Sequence, residues 1–201
     1  MKVLICYTQL NMKSCPMSFY KLGWIIRRII YACAYSKISF YGYLGRPIVI
    51  INASKLVLKQ KTRIFPGSRF EVHSNAGSIT VNENCSIGQN FHCTAIGDLE
   101  IGKGTVITPN VCITDIHHDY KELGKPLAEQ KYLYYKTKIG NNCFIGFGAV
   151  IQAGTLLGNN CIVGANSVVK GVFPDYSIIV GAPGRVIKLY NKKSKQWEKC
   201  M

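Results

Sequence analysis

Ile139-Gly-Asn-Asn-Cys-Phe-Ile145-Gly-Phe-Gly-Ala-Val-Ile151-Gln-Ala-Gly-Thr-Leu-Leu157-Gly-Asn-Asn-Cys-Ile-Val163-Gly-Ala-Asn-Ser-Val-Val169 places a branched aliphatic residue at every sixth position. Glycine follows it at Gly140, Gly146, Gly158 and Gly164, and a small residue stands four places after the first five: Cys143, Ala149, Thr155, Cys161 and Ser167. The spacing recurs upstream as Leu58, Ile64 and Phe70, as Val81, Ile87 and Cys93, and as Ile101, Ile107 and Ile113. Between blocks the phase slips: eight residues separate Cys93 from Ile101, and eleven separate Phe70 from Val81.

A period of six fits neither a helix nor an alternating strand. It fits a solenoid in which each hexapeptide forms one flat side and three complete a coil, the aliphatic residue pointing inward and the small residue filling the turn. Eighteen residues on, the chain lies one coil up, at a strand spacing of about 4.8 Å. Ile139 is therefore expected under Leu157 and Cys143 under Cys161, and Asn141, Asn142, Asn159 and Asn160 are expected to relieve left-handed turns.

This reading also accounts for cysteines. The chain has nine in 201 residues, an odd number without a C-x-x-C pair, so reduced structural thiols are expected instead of a disulfide scaffold. With 48% hydrophobic and 17% charged residues the chain has material for a core and is not a disordered type. The apolar run Trp24–Tyr35 contains Arg27 and Arg28 and is too short to span a bilayer, and Val3–Tyr7 is too short for a secretory core. A cytoplasmic protein is expected. The net charge of +15 is uneven: residues 1–70 hold twelve Lys or Arg and no acid, Glu71 being the first carboxylate. Such asymmetry marks a basic surface facing nucleic acid, anionic lipid or a phosphorylated ligand.

One segment, Thr114–Lys138, breaks the repeat. A 25-residue interruption of a compact repeat is a candidate functional loop. It carries Asp115, His117, His118, Asp119 and Glu122, then Tyr132, Tyr134 and Tyr135, a set suited to proton transfer.

The repeat resembles the hexapeptide-repeat acyltransferase superfamily, whose fold is a left-handed parallel β-helix. The hand comes from the resemblance, since general topology favours right-handed crossovers. Ile107-Thr-Pro-Asn-Val-Cys-Ile-Thr-Asp-Ile-His-His-Asp-Tyr120 is similar to the catalytic stretch of the maltose and galactoside acetyltransferase branch and of bacterial polysaccharide (O-antigen or capsule) O-acetyltransferases. The resemblance implies acetyl-CoA as donor, a hydroxyl of a sugar or surface-polysaccharide precursor as acceptor, and His118 as general base, with His117 the competing register. Imidazole suits a base working near neutral pH on a hydroxyl that will not ionise by itself. Asp115 and Asp119 are candidates to orient it, and His92 and Asn90, about one coil earlier, to bind acceptor. His73 is assigned no role.

The ending Phe173-Pro-Asp-Tyr-Ser-Ile-Ile-Val-Gly-Ala-Pro-Gly-Arg185-Val-Ile-Lys188 resembles the segment that closes the solenoid and helps bind CoA in this family. Carried over by position, Ala165, Arg185 and Lys188 become CoA contacts. Gly171 stands where the family often has Lys, with Lys170 one place earlier. Carbonic anhydrases of this fold bind zinc through three histidines, two of them five apart. Here Glu122 and Leu123 stand five after His117 and His118, and no metal is expected.

Three segments follow: a basic helical cap over 1–45 with a helix within Phe19–Ser39, a β-helix over 46–189 with the loop 114–138 inserted, and a basic tail over 190–201. A homotrimer is implied, with the site between subunits. The basic N-terminus either caps the first coil or meets an anionic membrane at its inner face; no module for nucleic acid accompanies it. Serine or amino-sugar acetyl transfer, and a catalytically inactive assembly scaffold, are the competing functions.

Overall fold

The computed structural model describes residues 19–200. A chain that must bury one aliphatic side chain per six residues can do so by running straight for two to four residues and turning, and this chain does so for about seven turns. The result is a left-handed parallel β-helix with three faces. The first face holds Gly42–Leu44, Thr62–Ile64, Ser86–Ile87, Val106–Ile107, Phe144–Ile145, Ile162–Val163 and Ser177–Gly181. The second holds Val49–Ile51, Arg69–Val72, His92–Ala95, Cys112–Thr114, Val150–Ile151 and Val168–Val169. The third holds Leu56–Leu58, Ser78–Val81, Asp98–Ile101, Lys138–Ile139, Leu156–Leu157 and Val172–Phe173.

Registration follows the repeat. Leu44, Ile64, Ile87, Ile107, Ile145, Val163 and Ile179 form one continuous inward column on the first face, each 2% exposed or less. Lys138 pairs with Leu156, as stacking of Ile139 under Leu157 requires.

The corner between third and first faces shows why cysteine recurs. Cys85 Sγ lies 3.1 Å from the carbonyl of Gly102, Cys143 Sγ 3.2 Å from that of Gly158, and Cys161 Sγ 3.2 Å from that of Pro174. Thr105 Oγ1 donates to Gly140 O at 3.0 Å from the equivalent place. The position selects a small side chain able to donate to a carbonyl of the coil above. These cysteines are free thiols, and burial pushes Cys85 up to about 11. Gly140 precedes this corner because a Cβ there would lie 2.2 Å from Gly158 O.

The asparagine expectation is half corrected. Asn142 and Asn160 do adopt left-handed backbone, at φ 54° and 57°. Asn141 and Asn159 build a side-chain ladder instead: Asn141 Oδ1 accepts from Lys103 N–H at 2.8 Å, and Asn159 Oδ1 from Asn141 N–H at 2.9 Å.

The helix is Tyr20–Ala34, shorter than Phe19–Ser39, because Ile38 bridges to Leu58 on the third face. It closes the base of the solenoid. Arg28 is buried and donates to the carbonyls of Ser39, Leu58 and Lys59 at 2.6, 3.0 and 3.1 Å, covering an edge that no further coil pairs. Burial pushes its guanidinium down to about 10. Trp24 packs on Tyr43 and Phe65, each at 5.6 Å between ring centres. The first coil begins at Gly42, ahead of position 46. Over its described residues, 190–200, the basic tail is not free: strand Gly184–Asn191 runs into it and pairs with Gln196–Lys199, Trp197 packing on Tyr190 at 5.4 Å.

Candidate active site

The interruption of the repeat is a hairpin. Ile116–His118 pairs antiparallel with Tyr132–Tyr134, in the register Ile116–Tyr134, His117–Leu133 and His118–Tyr132. It leaves the corner between second and third faces and folds back over lower coils, Tyr134 lying against Gly97, where a Cβ would be 2.1 Å from its ring. Successive residues of a strand point to opposite sides, and this separates the two histidines. His118 faces the second face and, with His73, Thr94, Cys112, Thr114, Ile116 and Tyr132, lines a cavity of about 310 Å³. Its ring packs against Tyr132 in a T-shaped arrangement, with ring centres 4.9 Å apart. His117 points the other way, between Tyr120 and Tyr135, each 5.9 Å from its ring centre. A larger hollow, of about 780 Å³, lies at the base around Lys37, Lys59, Gln60 and Glu83 and contains no histidine.

The carboxylates expected to orient the imidazole are engaged elsewhere. Asp115 is fully buried, its Oδ1 and Oδ2 accepting the backbone N–H groups of Ile96 and Gly97 at 2.9 and 3.0 Å. It fastens the root of the hairpin to the coil below. Burial raises its carboxyl, and these two hydrogen bonds oppose that rise. Asp119 Oδ1 accepts from Lys121 N–H at 3.2 Å.

The acceptor candidates also divide. Asn90 sits in a left-handed turn at φ 55° and donates to Asn110 Oδ1 at 3.1 Å, a corner-building role. His92 stands on the second face beside Cys112 and Arg69. Its Nε2 is buried without a hydrogen-bond partner and lies 3.7 Å from Glu71 Oε1. Burial lowers its proton affinity, against the pull of Glu71.

His73, given no role from the sequence, lines the cavity of His118. Glu71 beside it is the charged centre of this face: its Oε1 accepts from Arg69 Nε and Nη2 at 2.9 and 2.6 Å, and its Oε2 lies 3.2 Å from His73 Nε2. Burial pushes the Glu71 carboxyl up, but Arg69 and His73 outweigh it and hold it below its ordinary value. A signal existed. Glu71, Thr94 and Thr114 are in register, so His73, two beyond Glu71, falls in the column where the hairpin departs. The long corner between Phe70 and Val81 hides that register. Thr94 Oγ1 and Thr114 Oγ1 are 2.8 Å apart on the cavity floor.

The CoA candidates form one cluster and one outlier. Val180 pairs with Arg185 and Ile178 with Lys188, the register shifting between Ile178 and Ile179. Cross-strand partners share a face, and Ile178 and Val180 flank the inward Ile179. The shift therefore lets Arg185 and Lys188, three apart, both point outward. Gly164 packs on Val180, which sets exposed Ala165 beside them. Lys170 lies at the next corner, above the hairpin. His118 and the Ala165–Arg185 cluster stand at opposite edges of the second face and about three coils apart, on the order of 14 Å along the axis. Among the described residues no group of three His, Cys, Asp or Glu is arranged to hold a metal ion.

Known proteins resemble this chain in sequence and in fold. The pattern of the bacterial transferase hexapeptide family (six repeats) matches residues 136–171. Over 131 residues the chain is 33% identical to a protein of Escherichia coli K12 that bears the name lipopolysaccharide biosynthesis O-acetyl transferase WbbJ, a match covering 62% of this chain and 67% of that one. A protein of Mycobacterium tuberculosis, named as a probable acetyltransferase, is 27% identical over 157 residues. That match takes in 78% of this chain and 51% of the relative, so the chain spans about half that relative's length. The crystal structure of AntD, an N-acyltransferase from Bacillus cereus in complex with dTDP and 3-hydroxybutyryl-CoA, has the same fold, with a TM-score of 0.63 and 19% identity over 76% of this chain and 82% of that one. With its six-residue repeat, its three-faced solenoid and this relative in Escherichia coli, the chain belongs to the bacterial transferase hexapeptide family.

Proposed function

We propose that this chain is an acetyl-CoA-dependent O-acetyltransferase acting on a hydroxyl of a sugar or surface-polysaccharide precursor. The observation that carries the reading is the side of the hairpin on which His118 lies: its imidazole looks into a cavity floored by the hydroxyls of Thr94 and Thr114 and edged by His73. A sugar ring lodged there has hydrogen-bonding partners on the floor and Tyr132 beside it. His118 accepts the acceptor's hydroxyl proton as that oxygen attacks the thioester carbon. The carbon–sulfur bond then breaks, and the His118 imidazolium gives the proton to the departing thiolate. His117, on the far side of the hairpin, is out of reach of the same proton.

The donor fits the Ala165–Arg185–Lys188 cluster, where two outward cations suit phosphate groups and a small side chain leaves room for a slender arm. The placement of that cluster and His118 at opposite edges of one face favours a site shared between copies, His118 of one facing the donor cluster of the next, with an extended donor spanning the offset along the axis. A closed three-fold assembly satisfies such a head-to-tail contact. The test is acetyl-CoA consumption against a panel of sugars, serine and free amines. Turnover with a sugar that lacks amino groups is expected. Turnover only with serine or amines, or CoA binding without turnover, would overturn the reading.

A further inference from the structure

We infer that the outer face of the helix Tyr20–Ala34 is a docking surface for an anionic lipid bilayer, on which the solenoid stands by its base. At 100° per residue, Leu22, Ile26, Ile29, Ile30 and Cys33 share one side of this helix, and all five are exposed. Ile26 is 51% and Ile30 61% exposed. Gly23 and Ala34 complete that side, which bears no charge. The opposite side is already engaged through Trp24, Arg28 and Ala32. One side of the helix is thus apolar and uncharged yet left uncovered by the described residues, and such a face on a surface helix marks an interaction site. Beside it Ile30, Tyr31, Ala34, Tyr35, Ile50 and Ala53 line a hollow of about 200 Å³.

The surrounding charge decides the occupant. No Asp or Glu occurs before Glu71, and Lys37, Arg46, Lys59 and Lys61, in and beside the first coil, are exposed. A second copy brought base to base would place these cations against their equivalents. An anionic bilayer complements both parts: acyl chains receive Leu22, Ile26, Ile29 and Ile30, and headgroups receive the lysines. The 15-residue helix is about 22 Å long, and no helix among the described residues is long and apolar enough to cross a membrane. It lies in the interface plane. End-on docking would hold the His118 cavity a few coils above the surface, roughly 10–15 Å at the strand spacing, within reach of an acceptor carried on a lipid.

The experiment is co-sedimentation of the full chain with phosphatidylcholine vesicles, with and without phosphatidylglycerol. Binding is expected only with phosphatidylglycerol, weakened by salt. The double variant Ile26→Glu/Ile30→Glu is expected to lose affinity by about tenfold or more, with melting temperature and elution volume kept, since both side chains are exposed. Lys37→Glu/Lys59→Glu is expected to weaken binding without altering the apolar face. Equal binding to both vesicle types, no binding, or undiminished binding by the isoleucine variant would overturn the inference. A shift of that variant to a smaller assembly would also overturn it, assigning the face to a second copy.

Discussion

In the coils from Ile139 to Val169 nearly every side chain helps to build the scaffold. Ile145 is fully buried in a column, Cys143 donates to Gly158, and Asn141 links to Asn159. The hairpin between Thr114 and Lys138 differs. Its tip residue Leu123 is 97% exposed, His118 and Tyr132 are exposed, and the fully buried side chains that anchor it are Asp115 and Thr137 at its root. Packing consumes the chemistry of the first region. The second leaves imidazole and phenol groups exposed, because the solenoid below supplies stability in its place. Most side chains of the coil are committed to packing and turns; those of the hairpin are mostly exposed.

That contrast can be broken by core truncation. Ile145→Ala should cost about 2–5 kcal/mol of stability, read from urea unfolding, while the folded fraction keeps its turnover. Leu123→Ala, at the hairpin tip, should stay within about 0.5 kcal/mol. Similar losses at both would deny the division of labour.

A second test concerns the closing strand, which belongs to the scaffold yet points two cations outward. Arg185→Ala is expected to raise the KM for acetyl-CoA by roughly tenfold with kcat largely kept, the signature of uniform binding. A fall in kcat alone would place Arg185 in the chemical step.

Glu71 lies on a lower coil beside the cavity under the hairpin, and pH sharpens its role. Its folded-state proton affinity is depressed, so its contribution is present above the ordinary carboxylate range and lost as pH falls through its folded value. Melting temperature measured between about pH 6 and pH 3 should fall for the parent. Glu71→Gln should start lower at neutral pH and lose less on acidification. Parallel curves would show that Arg69 and His73 do not stabilise the ionised form.

The parts of the molecule that are legible in the sequence are those governed by strict spacing. Ile145 under Val163 follows from counting, as does the place of the hairpin, because a hexad cannot absorb 25 residues. The identity of the corner residue is legible only as smallness; that Cys85, Cys143 and Cys161 donate to carbonyls needs the geometry of the coil above. Asp115 misleads because proximity to His118 in sequence says nothing of direction, and a buried carboxylate goes to the nearest unpaired amides, here Ile96 and Gly97. His73 is hidden by unequal corners, which shift the register before it. The alternation of a strand separates His117 from His118, but that strand can be recognised only once its partner Tyr132–Tyr134 is seen.

The central claim is that the hairpin presents one imidazole to the acceptor and turns the other away. Steady-state kinetics of purified His118→Ala and His117→Ala with one working acceptor test it most directly. His118→Ala should lower kcat by about 10²–10⁴-fold, the range for loss of a general base, with acetyl-CoA affinity and melting temperature unchanged, while His117→Ala stays within a few-fold of the parent. Equal losses in the two variants, or a loss confined to His117→Ala, would contradict it.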